Sequence, residues 1–318
     1  MIFEWVITCF IVYLLVLFYS GYHQITAKIP DFSGRVVLIT GASSGIGEQL
    51  AKDLNRNGAD VIITARRVEV LNQVKQECVF PDKVHVVRMD LSNIEELTQI
   101  AKDLNNKFKI DILINNGGVG MRGKFKNLQL KVVKQIMNAN FLSACTLTRY
   151  IGEGMVSRKS GHIINNGSVA GLFPLPLRSI YSASKYAMRV FSNSIKAELK
   201  DSGITVTDIF PGYVQTDISA NSLSGNGIPF GKTDENTTQG MKVEEVSKIL
   251  LYYCRQNEKR QKDKWMLLKS LIVDPSRIVV CEFYVKVAVI LSSLSEYIYR
   301  LVSNIKYNSQ LEVMSKVK

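Results

Sequence analysis

Val36-Val37-Leu38-Ile39-Thr40-Gly41-Ala42-Ser43-Ser44-Gly45-Ile46-Gly47 is the stretch whose reading decides the fold. A β-branched apolar run enters a glycine-rich turn, and residues 45–57 then follow helical periodicity. Strand, turn and helix in that order suit a pyrophosphate. Gly41 permits the tight turn, Gly45 lets the backbone approach an anion, and Gly47 lets the helix pack on the strand. The helix N-terminus offers unpaired N–H groups, with Ser43, Ser44 and Ile46 placed in the turn itself.

Outward from this unit the pattern repeats. Further β-branched runs lie at 61–65, 84–89, 112–115, 162–166 and 205–210. Helical stretches separate them at 67–78, 93–107, 129–156 and 179–201. Strands separated by single helices predict parallel βαβ units, and continuous apolar strands predict a sheet covered on both faces. The fold class is therefore α/β, a doubly wound, Rossmann-like sheet in three layers, with ligand sites beyond the carboxyl ends of the strands. This catalytic domain is expected to span 30–272, closed by a helix near 243–257 and a seventh strand at 265–268. Residues 215–241, rich in Ser, Asn and Gly, are too long for a plain connector and are expected to form a flexible substrate lid.

The ends differ from the middle. Residues 1–22 hold one charged side chain, Glu4, and an apolar run from 5 to 18. As a helix they reach about 33 Å, enough for a bilayer, with Trp5, Tyr19 and Tyr22 at interface depths. A cleaved signal peptide is the rival, but no Lys or Arg precedes the run and no A-x-A-like site follows it. An uncleaved membrane anchor over 1–24 is expected. Lys28 and Arg35 follow the run, which leans the domain towards the cytosol, whereas Asn236-Thr237-Thr238 is a glycosylation acceptor if the domain is lumenal. The tail, 273–318, shows helical periodicity over 276–303 with a polar stripe at Glu282, Lys286, Ser293, Glu296 and Arg300. Its apolar face fits packing on the core, a dimer contact or a helix lying in the membrane interface.

The 318 residues are 46% hydrophobic and 21% charged, which excludes a disordered chain. The net charge of +12 comes without a basic run interleaved with aromatics. It points to anionic phospholipid or a polyphosphate cofactor, not to nucleic acid. Five scattered cysteines and three histidines show no ligand spacing, so neither a disulfide framework nor a metal site is expected.

Two further signals carry chemistry. In Tyr181-Ser182-Ala183-Ser184-Lys185 the phenol and ammonium lie one helical turn apart on a common face. A cation beside a phenol lowers its pKa from about 10, fitting it for general acid-base work near neutrality. Three pH units correspond to roughly 4 kcal/mol, so the pair is expected in a partly dry cleft. After the second strand come Arg66 and Arg67, where an NAD enzyme would carry an acid. Two guanidiniums suit a 2′-phosphate instead, so the expected cofactor is NADP(H).

Over roughly 34–270 the chain resembles the classical short-chain dehydrogenase/reductase family. The carrying residues are Thr40 to Gly47, Asp90-Leu91, Asn115-Asn116-Gly117-Gly118, Asn140, Ser168, the Tyr181/Lys185 pair, and Pro211-Gly212 with Thr216. The resemblance implies a role for each. Asp90 and Leu91 contact adenine, Asn116 and Gly117 flank the cofactor, and Pro211, Gly212, Val214 and Thr216 hold the nicotinamide end. Asn140 supports a water that relays protons to Lys185, and Lys185 also bonds the nicotinamide ribose. Ser168 polarises the substrate oxygen, and Tyr181 exchanges the proton.

Three positions depart from the family pattern: Gly117 for an alanine, Gly167 for a serine, and Ser143 for a glycine. The resemblance also implies an NADPH-dependent carbonyl reductase of lipophilic ketones or aldehydes, such as retinal, steroids or related lipids. The endoplasmic reticulum membrane and a homodimer belong to the same implication. Oxidation of a hydroxysteroid or retinol at the same site, and a non-catalytic membrane-bound NADP-binding protein, are the alternatives.

Overall fold

In a computed structural model of the chain, residues 28–199, 201–260 and 277–280 are described. Seven parallel strands form one sheet in the order β3-β2-β1-β4-β5-β6-β7. They are β1 (Val36–Thr40), β2 (Asp60–Ala65), β3 (Val84–Arg88), β4 (Ile112–Asn115), β5 (Gly161–Asn166), β6 (Ile204–Pro211) and β7 (Arg277–Val280). The crossover helices are α1 (Gly45–Arg56), α2 (Val68–Glu77), α3 (Ile94–Lys107), α4 (Leu130–Met137), α5 (Ser143–Ser157) and α6 (Ser179–Glu198). A short helix α7 (Glu235–Thr238) and a longer α8 (Val243–Arg260) follow β6.

Strand alternation sends side chains into two cores. Val37, Ile39, Val61, Ile63, Ile112 and Ile114 face the layer containing α1 and α8, with Leu50, Leu54, Val246 and Leu250. Leu38, Ile62 and Leu113 face the other layer, with Leu97 and Ala101 of α3 and Leu147 and Ile151 of α5. Each such aliphatic side chain, once buried, contributes about 1.5–3 kcal/mol. The strand order runs outward from β1 to β3 and restarts at β4 on the other side of β1, so the crevice between β1 and β4 is the topological switch point.

One expectation about the C-terminal part is corrected, the helical reading of the tail from 276 onward. The seventh strand is Arg277–Val280, running parallel to β6 with Pro211 opposite Val280. The sheet thus continues past 272 and takes four residues expected to belong to a tail helix. A run containing Ile278, Val279 and Val280 fits an edge strand as readily as a helix turn, and pairing with β6 decides between them. The proposed strand at 265–268, the anchor at 1–24 and the tail beyond 280 lie outside the described residues. Among the described residues no helix is long and apolar enough to cross a membrane.

The helical stretch expected over 129–156 is also interrupted. Between α4 and α5 the chain makes a π-helical turn at Asn138–Leu142, containing the buried Asn140. Such single turns leave backbone groups out of the regular ladder and recur at functional sites.

Candidate active site

A cavity of about 540 Å³ opens at the carboxyl ends of β1, β2, β4, β5 and β6. It draws its walls from Gly41, Ser43, Ser44, Gly45 and Ile46 of the first turn, from Arg66 and Arg67, and from Asp90 and Leu91. Asn116, Gly117, Ser168, Tyr181, Lys185, Pro211, Gly212, Val214 and Thr216 complete it. Of the residues singled out from the sequence, Gly47 and Asn140 stand behind its walls. A separate groove of about 520 Å³ along the outer edge of β3 shares none of these residues.

The glycine turn is held by close backbone approach. A Cβ on Gly47 would lie 2.3 Å from the Gly41 carbonyl oxygen and 2.5 Å from Asn116 Nδ2. Asn116 fastens the turn: its Nδ2 donates to the Thr40 carbonyl at 2.9 Å, and Thr40 Oγ1 accepts from the Asn116 and Gly117 backbone N–H groups. Gly117, where the family pattern has alanine, is explained by Leu91: a Cβ there would sit 2.4 Å from Leu91 Cδ1. Past β2, Arg66 and Arg67 are exposed at the rim, and Arg67 Nη2 reaches Ser43 Oγ at 3.5 Å. Burial works against ionisation of Asp90. Two hydrogen bonds from Ser92, with Arg66 and Arg88 nearby, nevertheless hold its carboxyl below the usual range.

At the other end of the cavity, the buried face of α6 presents Tyr181 and Lys185. Ser168 caps a short turn after β5, its Oγ accepting from the Ala170 N–H at 3.2 Å, and its side chain is hydrogen-bonded to Tyr181. Lys185 Nζ donates to the Asn166 carbonyl at 2.8 Å and lies 5.9 Å from the centre of the Tyr181 ring. Burial alone lowers the Lys185 ammonium to about 8. Asn140 is fully engaged: Oδ1 accepts from the Val119 N–H at 2.7 Å, while Nδ2 donates to the Val119 carbonyl and to Ser184 Oγ, each at 3.0 Å.

The expected lowering of the Tyr181 pKa by Lys185 is corrected. Burial pushes the phenol above its ordinary value, against the opposing influences of the Ser168 hydrogen bond and the Arg178 charge. The same dry surroundings that bring the pair together penalise both charged forms.

Two features of the site were missed by the sequence reading. The first is the asparagine scaffold: Asn116 Oδ1 accepts from Asn166 Nδ2 at 2.8 Å, and Asn115 Nδ2 donates to Asn165 Oδ1 at 2.9 Å. An Asn-Asn doublet ending two adjacent strands was the available signal. The second is Arg178 at the start of α6, which lines the cavity and pairs with Asp234. Nothing in the sequence couples those two residues, 56 positions apart.

The geometry fits a dinucleotide carrying a 2′-phosphate: a turn with no room for side chains, cationic residues past β2, and a proton-bearing phenol at the far end. Comparisons agree. A profile of the short chain dehydrogenase family matches residues 35–227. The chain is 38% identical over 231 residues to a Drosophila melanogaster protein named dehydrogenase/reductase SDR family protein 7-like, covering 71% of each chain. It is 35% identical over 242 residues to dehydrogenase/reductase SDR family member 7B of Xenopus laevis, covering 73% of this chain and 75% of that one.

Among solved structures, a short-chain dehydrogenase from Sphingobium yanoikuyae in complex with NADPH is 27% identical with a TM-score of 0.61, covering 76% and 96% of the two chains. The closed form of a serine dehydrogenase complexed with NADP+ is 26% identical with a TM-score of 0.61, covering 78% and 94%. With the glycine turn, the Arg66/Arg67 rim and the Ser168–Tyr181–Lys185 cluster meeting in one crevice, the chain belongs to the short-chain dehydrogenase/reductase family and is an NADP-dependent oxidoreductase.

Proposed function

We propose that this protein is an NADPH-dependent carbonyl reductase acting on lipophilic ketones or aldehydes, with retinoids, steroids and related lipids as the classes to test. One observation carries the reading: a buried phenol, hydrogen-bonded to a serine hydroxyl, in the same cavity as the phosphate turn. Because burial raises its pKa, Tyr181 stays protonated at neutral pH. That is the state from which a proton is given to a carbonyl oxygen.

In this reading each residue has a task set by charge. NADPH, when bound, supplies the hydride. As negative charge builds on the substrate oxygen, Ser168 donates a hydrogen bond to it and Tyr181 delivers its proton. Lys185, held by the Asn166 carbonyl, keeps a positive charge beside the phenol and bonds the nicotinamide ribose. Asn140 fixes the wall next to Lys185: a side chain at Gly118 would meet Asn140 Oδ1 at 3.1 Å and Lys185 Nζ at 3.6 Å. Arg66 and Arg67 hold the 2′-phosphate, and Asp90 and Leu91 border the adenine. Pro211, Gly212, Val214 and Thr216 border the nicotinamide. Residues 215–241 cover the substrate end as a lid.

The apolar run at 5–18 supports a membrane anchor over 1–24, which would bring lipophilic substrate to the cleft. An endoplasmic reticulum location and a homodimer are proposed on the family resemblance. Asn236 is exposed, so glycan mapping there reports which side of the membrane the domain occupies. Asn166, in the second sequon Asn166-Gly167-Ser168, is buried and bonded to Asn116.

The decisive measurement is NADPH oxidation by the full-length protein in detergent, across retinoid, steroid and acyl ketones. Turnover of at least one class, abolished by Tyr181→Phe, supports the assignment. Consumption that survives that change, or none with any carbonyl, removes it.

A further inference from the structure

We propose that the physiological substrate carries an anionic group, a carboxylate or a phosphate, seated on Arg178 at the end of the cleft beyond Tyr181. The inference rests on the reductase reading above and narrows it, from neutral lipids to amphiphilic ketones with an acidic end.

The charges bonded to one another around Asp234 do not balance, although the exposed acid Asp217 also lines the cavity. Asp234 is buried, and its Oδ2 accepts from Arg122 Nη1 at 2.7 Å and from Arg178 Nη2 at 3.2 Å. Its other oxygen accepts from the backbone and side-chain nitrogens of Asn236, both at 3.2 Å. One carboxylate with both oxygens engaged thus stands against two guanidiniums. The Nε atoms of Arg122 and Arg178 are buried without a hydrogen-bond partner among the described residues. An uncompensated charge in such surroundings is costly unless something else neutralises it.

The two arginines divide the work. Arg122 is 2% exposed, packs 4.8 Å from the centre of the Phe230 ring and stays behind the wall. Arg178 lines the cavity, with side-chain exposure of 11%, one helical turn before Tyr181. It occupies the N-cap of α6, a 20-residue helix whose positive end disfavours a cation and favours an anion. The residue before it, Leu177, is held at φ 62°, in the left-handed region, with its carbonyl accepting from the Gly123 N–H at 2.9 Å. Strain of that kind persists where the surroundings over-determine a position. The cavity wall also includes apolar Leu175, Leu223 and Pro229, beside polar Asp217, Ser219, Asn221 and Thr237. An apolar body ending in an anion matches both features, and a guanidinium fork binds carboxylate and phosphate in bidentate fashion.

A purely mechanical role, with Arg178 only latching Asp234 and the 215–241 segment, predicts a different outcome. The experiment compares matched pairs on the full chain with NADPH: a long-chain oxo acid against its methyl ester, and a ketoalkyl phosphate against its dimethyl ester. We expect kcat/KM at least tenfold higher for the acid, the phosphate or both than for the neutral partner. The better anion identifies the headgroup. Arg178→Met should lower kcat/KM for the anion at least tenfold more than for the ester, chiefly through KM, with Arg178→Lys recovering part of it. Equal rates for acid and ester in the parent protein overturn the inference with no variant needed, and leave carbonyl reduction standing. Equal losses for both on Arg178→Met overturn it in favour of the latch. No reduction of any probe removes the reductase reading and this inference with it.

Discussion

Lys185 donates its ammonium to the carbonyl of Asn166 at 2.8 Å, so the cation of the Tyr181/Lys185 pair is anchored to the end of β5, two residues before Ser168. The bond ties the end of β5 to the helix that carries Tyr181. It also leaves Tyr181 a neutral phenol whose polar partner is Ser168.

Tyr181→Phe keeps the ring and removes the proton. A positioned general acid contributes about 10²–10⁴-fold, so kcat should fall by that factor while NADPH affinity stays near the parent value. Stopped-flow turnover and NADPH fluorescence titration measure the two separately. A variant retaining more than about a tenth of the parent kcat would contradict the assigned role.

Lys185→Met should make the protein more stable and inactive. In the folded chain this amine titrates at about 8 against an ordinary 10.5. As pH falls from about 10.5 the unfolded chain takes up the proton first, so folding is progressively disfavoured down to about 8 and fully so below it. The displacement corresponds to about 3 kcal/mol, and removing the amine should recover about 1–3 kcal/mol at pH 7, with the gain shrinking towards pH 10.5. Urea unfolding at the two pH values decides. In the parent, reduction should slow as pH rises through about 8, because the cation beside the phenol is lost.

Arg66→Ala with Arg67→Ala should weaken NADPH and spare NADH. One charge-assisted bond contributes about 1.5–3 kcal/mol, so the KM for NADPH should rise by at least about 10- to 100-fold. Comparable losses for both cofactors would dissociate the arginines from the 2′-phosphate.

Gly47→Ala should break the phosphate turn, since its Cβ would enter the space of the Gly41 carbonyl. Expected are a loss of about 2–4 kcal/mol and of detectable NADPH binding. Gly152→Ala, in α5 with nothing within 4 Å of the new carbon, should instead stabilise by about 0.5–1 kcal/mol. Thermal melts of the two variants should move in opposite directions.

Glu258 governs acid stability. Burial raises its pKa, but His162, Arg255 and Arg35 outweigh that and hold it at about 2, against an ordinary 4.5. Its stabilisation is present above about 4.5 and is lost as pH falls from there towards 2. Glu258→Gln should therefore melt below the parent at pH 6, and the gap should narrow by pH 3 and close only towards pH 2. A gap that widened on acidification would exclude this ionisation as the cause.

How far the pattern could be read varies along the chain. The runs at 36–40, 61–65, 84–89, 112–115, 162–166 and 205–210 marked six strands, because parallel strands buried on both faces leave unbroken apolar runs. The strand at Arg277–Val280 was read instead as part of a tail helix. Ile278, Val279 and Val280 lie in a stretch whose apolar spacing also fits a helix, and their pairing with β6 is a long-range fact.

Sequence by itself determined the alternation of strands and helices, the glycine turn and the phenol–amine spacing, because each depends on neighbours within a few residues of one another. Tertiary structure alone decided the direction of the Tyr181 shift, the anchoring of Lys185 on Asn166 and the unequal charges around Asp234. Those follow from burial and from partners on distant elements, and desolvation is a property of the assembled cleft that no local spacing encodes.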